Sequence, residues 1–189
     1  ACQKLFLVNP RLQPAIDGII FCTQSADHIM PPNSCILHGK LELPDDVFTF
    51  DFNLACSGYI YGLALAQGLV DSGFASNILL VTADTYSKYI NSRDRGTRIL
   101  FGDAAAVTWI ANSTSPKGII DIQCSTSGKG HDTIIIPAGG CRLPSSEQTK
   151  LSEMDSSGNY RSPENMRMNG MGILSFVNTK VPPQIRSIL

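Results

Sequence analysis

Charge is scarce in this sequence and nearly balanced. Only 16% of the residues are Asp, Glu, Lys or Arg, and the formal net charge is −1. A balanced charge gives no general attraction to nucleic acid or to an anionic membrane, so neither is expected as a partner. The longest apolar run, over residues 59–70, is too short for a bilayer and is interrupted by glycines. We therefore expect no transmembrane segment.

The sequence also lacks the motifs of a metal centre or of a disulfide scaffold. Its six cysteines form no C-x-x-C pair and no histidine lies at ligand spacing, so no metal site is expected. Cys22 falls in an apolar run and Cys35 in a predicted helix, where cysteine usually packs as a small core residue. A disulfide framework has little support at this length, which favours a reducing, cytoplasmic location.

A signal peptide is missing as well. Residues 1–6 have no charged head, apolar stretch and cleavage site, and they predict the end of a helix instead. Residues 181–189, with a proline pair near their start, predict the first turn of another helix. We therefore expect the protein to continue on both sides of this sequence.

Short apolar runs alternate with helical segments along most of the chain. This alternation, with strands buried on both faces, predicts an α/β protein, a three-layer α/β/α sandwich around a mostly parallel mixed sheet. Strands are expected over residues 17–23, 47–53, 77–83, 105–111 and 118–124, and helices over 35–43, capped by Asn33 or Ser34, and 57–72. Residues 125–165 are polar and predict a lid-like surface excursion, after which the chain should return to the core by Val177.

Cys56 lies at the junction of a predicted strand and the central predicted helix. Residues 47–53 alternate apolar and polar, with three phenylalanines on one face, and residues 57–72 are apolar almost all round. The N–H groups and the dipole at a helix start favour a thiolate and can hold an oxyanion. The pattern predicts a nucleophilic cysteine on a strand-to-helix turn.

A stripe of small residues runs along the same predicted helix. Gly58, Gly62 and Ala66 are four residues apart and therefore share one face. The stripe either packs in the ordinary core or receives a helix from a part of the protein outside this sequence. The pattern alone leaves both interpretations open.

Three motifs follow one another at the spacing of a known family. Residues 51–62 (DFNLACSGYIYG), 93–97 (RDRGT) and 100–103 (LFGD) resemble the β-ketoacyl-acyl carrier protein synthase III family of thiolase-like condensing enzymes. The resemblance covers nearly the whole chain and is weakest over residues 145–161. It implies an N-terminal thiolase-like half over residues 1–180, lacking its first strand, with residues 181–189 beginning the C-terminal half.

The resemblance implies an acyltransferase of fatty-acid or related polyketide biosynthesis. Cys56 would take the acyl group of an acyl-CoA substrate, and malonyl-acyl carrier protein would then lose carbon dioxide and extend that group, without a tightly bound cofactor. The family's catalytic histidine and asparagine come from the C-terminal half, and the three histidines here match neither motif, so we expect them to be structural or exposed. This chain alone is expected not to complete the condensation, which ketoacyl product from the purified chain would contradict.

The resemblance also implies a CoA site and an acyl channel. Arg95 matches the arginine against the CoA adenine, although a solvated basic loop, partly neutralised by Asp84 and Asp94, is the alternative. Phe101 matches a residue beside the nucleophile and the acyl pocket, with plain core packing as its alternative. Met168, Gly170 and Leu174 match the segment that lines the acyl channel. Because Leu174 replaces a common phenylalanine, acetyl-CoA is not assumed to be the primer.

Strand 47–53 is a sheet edge in the family, where it pairs with a second subunit, so the resemblance implies a homodimer. Two alternatives to condensation remain. The same fold can transfer an acyl group to an oxygen or nitrogen acceptor, and the departures at Ala104, which replaces a glycine, and Leu174 leave room for this. A non-catalytic thiolase-fold subunit is the other alternative, and the retained cysteine disfavours it.

Overall fold

The computed structural model describes residues 1–113 and 118–189, which divide into two compact units. The first unit comprises Ala1–Asp84 and Ala104–Cys124, and the second comprises Thr85–Asp103 and Ser125–Leu189. The surface excursion expected over residues 125–165 belongs to the second unit. The expected boundary between two halves of a longer protein, at residue 180, stays a prediction.

The first unit contains one mixed sheet with helices between its strands. The strand order is β2-β1-β3-β4, in which the first three strands are parallel and β4 is antiparallel to β3. The predicted mostly parallel mixed sheet is therefore confirmed. Its elements are α1 (Cys2–Val8), a 3₁₀ turn (Gln13–Ala15), β1 (Gly18–Cys22), α2 (Asn33–Lys40), β2 (Phe48–Phe52), α3 (Gly58–Asp71), β3 (Asn77–Asp84) and β4 (Ala104–Ala111).

Two apolar clusters cover the two faces of this sheet. Ile19 and Leu79 point into one cluster, which side chains of α1 and α2 complete, whereas Ile20 and Leu80 point into the other, which α3 completes. Neighbouring strand residues alternate between faces, so each central strand serves both clusters. Burying one such side chain contributes about 1.5–3 kcal/mol. The predicted three layers are therefore present, with the sheet in the middle.

Burial on both faces holds only for the central strands. All of β1 is buried and so are four consecutive residues of β3, but β2 is half-buried and β4 is half-buried or exposed. The prediction is thus wrong for the two outer strands, which have a neighbour on one side only. The strand expected over residues 118–124 is absent, and Cys35 is exposed rather than part of the core.

Helix α3 is buried along one face rather than all round. Its buried residues are Gly58, Gly62, Ala66 and Val70, which lie four apart, whereas Tyr59 and others on the remaining faces are exposed. A Cβ atom at Gly62 would lie 2.9 Å from Leu80 Cδ2 of the sheet. The small-residue stripe therefore packs against the sheet of the same unit, which supports ordinary core packing.

Helix α2 begins at a carboxylate from a neighbouring strand. Asp51 of β2 accepts hydrogen bonds from the backbone N–H groups of Asn33 (2.7 Å) and Ser34 (2.9 Å). A side chain that accepts from the first free N–H groups stabilises a helix start. The predicted cap by Asn33 or Ser34 is therefore wrong. Local patterns cannot reveal an acceptor that comes from another element.

The second unit contains short elements and one long helix. Its elements are a 3₁₀ turn (Tyr86–Lys88), α4 (Arg95–Arg98), a 3₁₀ turn (Gly128–Gly130), β5 (Ile134–Ile135), α5 (Glu147–Lys150), β6 (Glu153–Met154), β7 (Tyr160–Arg161), β8 (Arg167–Met168) and α6 (Gly170–Ile188). The antiparallel ladders β5-β8 and β6-β7 pair within it. Among the described residues, no helix is both long and apolar enough to cross a membrane.

Helix α6 departs from two expectations. It runs without a break through Pro182 and Pro183, whereas the sequence predicted a separate helix starting there. Proline removes a backbone donor, but its φ suits a helix, so the pair weakens the helix without ending it. The expected return to the core holds at Met166, which is 3% exposed, but is wrong for the segment from Gly170 to Val177, since no residue of the helix is buried.

Candidate functional site

Cys56 occupies the turn between β2 and α3, as the sequence predicted. Its side chain is exposed, and Ser57, the residue before the helix, makes no side-chain capping bond. The first helical N–H, from Gly58, donates to the carbonyl of Ala55 at 2.8 Å, which closes the turn. The thiol is therefore accessible beside a helix start that no side chain covers, where N–H groups can stabilise negative charge.

Cys22 supports this turn from below. It is buried at the end of β1, and its sulfur donates to the carbonyl of Leu54 at 3.1 Å. Burial raises the pKa of the Cys22 thiol, and the charge of Asp84 raises it further, so the donor stays protonated. A Cβ atom at Gly58 would overlap the Cys22 sulfur. Cys22 is thus a packed core residue, whereas Cys56 is the accessible thiol.

The carboxylates expected to neutralise the basic loop are engaged elsewhere. Asp84 accepts hydrogen bonds from Thr23 Oγ1 (3.1 Å), Ser25 Oγ (2.9 Å) and the backbone N–H of Gln24 (2.8 Å). Asp94 is fully buried and faces Arg161. Asp94, which lies in the same unit as the basic loop, therefore binds Arg161 rather than an arginine of that loop. The sequence could not reveal it, because the true partners lie about 60 residues away along the chain.

Two arginines of the second unit line a cationic cleft. Arg95 and Arg98 of α4 line a cleft of about 800 Å³ together with Ile99 and the segment from Ser157 to Asn159. Arg98 donates to the carbonyl of Ser92 at 2.9 Å. The Arg95 side chain is exposed and forms no hydrogen bond or ion pair with residues 1–113 or 118–189. Its guanidinium is therefore available to a ligand.

A buried ion pair that the sequence did not predict lies behind this cleft. Arg161 of β7 donates to Asp94 with two nitrogens, Nη2 at 3.0 Å from Oδ1, and its Nη1 lies 2.9 Å from Asp155 Oδ2. Burial alone would raise the pKa of Asp94, but hydrogen bonds from Arg161 and Thr97 outweigh it and lower that pKa. Asp94 therefore remains ionised and binds Arg161 as a carboxylate.

The residues predicted to line the acyl channel all belong to the second unit. The Phe101 ring packs edge-on against Tyr86, with the centroids 5.5 Å apart. Met168 pairs with Ile134 in the β5-β8 ladder, Gly170 is the first residue of α6, and Leu174 is 52% exposed. Arg95 and these four residues belong to the second unit, whereas Cys56 belongs to the first. Their roles stay predictions.

Asp103 and Ala104, at the end of the FGD motif and directly after it, have structural roles. Asp103 accepts from the N–H of Ser87 (2.9 Å) and from its hydroxyl (2.6 Å), and these bonds lower the pKa of Asp103. Ala104 is the first residue of β4 and has no positive φ. An alanine fits this position without backbone strain.

The three histidines take no part in either site. His38 Nε2 lies 2.9 Å from the carbonyl of Pro44, and His28 and His131 are exposed. In the part of the chain that the structure describes, no cluster of three His, Cys, Asp or Glu residues is arranged to hold a metal ion.

Comparison with known proteins points to one family. The family model described as 3-oxoacyl-[acyl-carrier-protein] synthase III matches residues 50–128, which contain the motifs around Cys56 and Arg95. A putative 3-oxoacyl-[acyl-carrier-protein] synthase 3 of Campylobacter jejuni is 33% identical over 93% of this chain. A β-ketoacyl-[acyl-carrier-protein] synthase III of Caldanaerobacter subterraneus is 38% identical over 78% of it.

A solved structure supports the same relationship. The crystal structure of a 3-oxoacyl-(acyl-carrier-protein) synthase III superposes with a TM-score of 0.90 at 39% identity, over 97% of this chain and 55% of the other. The two curated relatives are covered over 49% and 44% of their length. The chain thus spans about half the length of the relatives that it matches.

Proposed function

The chain belongs to the 3-oxoacyl-[acyl-carrier-protein] synthase III family, and from this membership we propose that Cys56 accepts an acyl group from acyl-CoA. The observation that carries the proposal is the exposed thiol of Cys56 at the uncapped start of α3, inside the matched motif. Mass spectrometry of the protein after incubation with acyl-CoA tests it directly.

The proposed reaction begins with acyl transfer. The Cys56 thiolate attacks the thioester carbonyl, a tetrahedral oxyanion forms, and the carbon–sulfur bond to CoA breaks, which releases CoA and leaves an acyl thioester on Cys56. N–H groups at the start of α3 are suited to stabilise the oxyanion. In the family, malonyl-acyl carrier protein then loses carbon dioxide with the help of a histidine and an asparagine whose motifs this sequence does not contain, and its carbanion attacks the acyl group and frees the thiolate. Acyl-CoA and acyl carrier protein are therefore the proposed partners.

Four residues are assigned to the acyl channel within this proposal. Phe101, Met168, Gly170 and Leu174 are apolar or small, and the last three lie in consecutive segments around the start of α6. Leucine is smaller than phenylalanine, so a channel containing Leu174 has room for an acyl group longer than acetyl. The acyl chain lengths found on Cys56 test this assignment.

Arg95 is proposed to bind the nucleotide end of CoA. Replacing Arg95 with alanine is expected to raise the acyl-CoA concentration that half-saturates Cys56 acylation by about tenfold, since a hydrogen bond to a charged group contributes about 1.5–3 kcal/mol. Titration of acyl-CoA against the rate of adduct formation measures this value. Arg142→Ala is the control, because it removes an exposed arginine that does not line the cleft. Equal half-saturating concentrations for Arg95→Ala and the control would refute the role.

A homodimer through strand β2 is also proposed. The N–H of Phe48 donates to the carbonyl of Asp17, and the carbonyl of Phe52 accepts from the N–H of Thr23, so both groups face the β1 side. Strand β2 is an edge of its sheet. Alternate residues of a parallel ladder bond to the same neighbour, so Thr49 offers its backbone to a second subunit.

Thr49→Pro is expected to convert the dimer to a monomer, because proline removes the outward donor while an edge strand tolerates it. Light scattering after size-exclusion chromatography measures the mass. Thr49→Val keeps the donor and should remain a dimer. A wild-type monomer, or a Thr49→Pro dimer, would contradict this interface.

The proposed location is the cytoplasm. All six cysteines are free thiols, which suits a reducing compartment. Fractionation of the source cells tests this location.

A further inference from the structure

The hairpin β6-β7 has a turn that one carboxylate organises. Asp155 Oδ1 accepts hydrogen bonds from the backbone N–H groups of Ser157 and Asn159, both at 2.9 Å. Gly158 has φ +79°, which a glycine adopts without strain. The turn is therefore a defined structure, although it lies in the stretch where the family resemblance is weakest.

This turn forms one wall of the cationic cleft. Ser157, Gly158 and Asn159 line the cleft opposite α4, and Asn159 Oδ1 accepts from the backbone N–H of Gly96 at 3.1 Å. That bond joins the hairpin directly to the residue after Arg95. The position of the hairpin therefore determines the width of the cleft at Arg95.

Arg161 holds both walls of the cleft at once. Its guanidinium binds Asp94, which precedes α4 and accepts from the N–H of Thr97 at 3.0 Å, and it also binds Asp155 of the hairpin turn. Asp94 is fully buried, and the Arg161 side chain is only 20% exposed. An arginine fork that binds carboxylates at two sites fixes their separation as well as their charge.

The same bonds keep negative charge out of the cleft. Its lining contains Arg95 and Arg98 but no carboxylate, because Asp94 and Asp155 both face Arg161. A cleft with two arginines and no acid suits phosphate groups. Without Arg161, two carboxylates would lose their cation next to these arginines and would compete with a phosphate for them.

We propose that Arg161 is a positioning residue for the phosphate-bearing nucleotide end of acyl-CoA, acting through Asp94 and Asp155 on Arg95 and Arg98. This inference rests on the proposed function, since it assumes that acyl-CoA is the acyl donor. It also assigns a role to the hairpin: the turn Ser157–Asn159 makes acylation depend on the nucleotide rather than on the thioester alone.

The test compares two acyl donors that share a thioester but differ in the nucleotide. Octanoyl-CoA carries the nucleotide and its phosphates, and the N-acetylcysteamine thioester of octanoate carries neither. The rate of adduct formation on Cys56 is measured by intact-protein mass spectrometry over a range of each donor. The half-saturating concentration and the saturating rate are obtained separately.

Arg161→Met is expected to raise the half-saturating concentration of octanoyl-CoA by about tenfold, with the saturating rate within about twofold of wild type. The short thioester should react with both proteins alike. Arg161→Lys should recover only part of the loss, because an ammonium restores the charge but not the fork. Lys150→Met is the matched control, since Lys150 pairs with Glu147 on the surface and does not line the cleft.

A second variant guards against a folding defect. Asn159→Ala removes the bond to Gly96 and a 3.5 Å bond to Asp155, but none of the bonds from Arg161. It should raise the half-saturating concentration of octanoyl-CoA by about threefold without changing the rate with the short thioester. Equal losses with both donors, or no change with either, would overturn the inference while the proposed function stands. Wild-type protein that forms no adduct with either donor would overturn both.

Discussion

Replacing Cys56 with alanine is expected to abolish the mass increase that acyl-CoA leaves on this protein. Acyl transfer needs a thiolate, and alanine has no atom that can form the thioester. Intact-protein mass spectrometry after incubation with acyl-CoAs of increasing chain length measures both the loss and the preferred acyl group. A preference for acetyl over longer groups would contradict the channel assigned around Leu174.

The control for this experiment comes from the other exposed thiols. Cys35, Cys124 and Cys141 are exposed as well, but none lies at the start of a helix as long as α3. Cys35→Ala should therefore keep the wild-type adduct, and peptide mapping should place that adduct on Cys56. Adducts that form at equal rates on several cysteines, or an undiminished adduct in Cys56→Ala, would indicate non-enzymatic acylation. Either result would contradict the proposal that Cys56 is the enzymatic nucleophile.

Replacing Gly62 with valine is expected to lower the free energy of unfolding by about 3 kcal/mol, the upper part of the range for overpacked cores. An added Cβ would lie 2.9 Å from Leu80 Cδ2 and nearer still to Cδ1. Leu80 is only 1% exposed and packs among the core residues Ile20 and Ile78, so it has no space to move aside. Helix α3 and the turn of Cys56 would shift away from the sheet.

Gly68→Val on the same helix is the matched control. Nothing lies within 4 Å of a Cβ at Gly68, so this variant carries the same change in helix propensity without the clash. The single tryptophan, Trp109, lies in β4 of the same unit, so its fluorescence during urea denaturation reports the unfolding of this unit. Equal midpoints for the two variants would show that the stripe does not pack tightly on the sheet.

The structure bears on one of the alternatives to condensation. Ala104, which replaces a family glycine, was one of the two departures that left room for a different acceptor, because alanine adopts positive φ poorly. Ala104 instead begins β4 with an ordinary backbone, paired with Asp84. This departure therefore requires no change of turn. In an assay of the full-length protein, the consumption of malonyl-acyl carrier protein with release of carbon dioxide distinguishes condensation from transfer to an oxygen or nitrogen acceptor.

Much of the first unit could be predicted from local patterns. The alternation in residues 47–53 predicted β2, the apolar run in 77–83 predicted β3, and the apolar run in 57–72 predicted α3, each within a few residues. Such patterns arise from neighbours in the chain, because strand and helix periodicities place nearby side chains on a common face. The same locality fixed Cys56 on a turn between a strand and a helix.

Local patterns failed wherever a partner came from a distant segment. Three features were not predicted correctly: α3 is buried on one face only, Asp51 caps α2, and α6 continues through two prolines. An apolar residue predicts that some surface will cover it, but the sequence does not say which surface, or whether the described chain contains it. Burial is a property of the packed structure.

The sequence by itself determined the fold class, the family and the position of Cys56, because these depend on periodicity and on the spacing of short motifs. Only the tertiary structure decided which charges meet. Arg161 and Asp94 are 67 residues apart in the chain, yet they form a buried ion pair behind the cleft of Arg95. Charge pairing depends on distances of a few ångströms in space, and sequence separation carries no such distance.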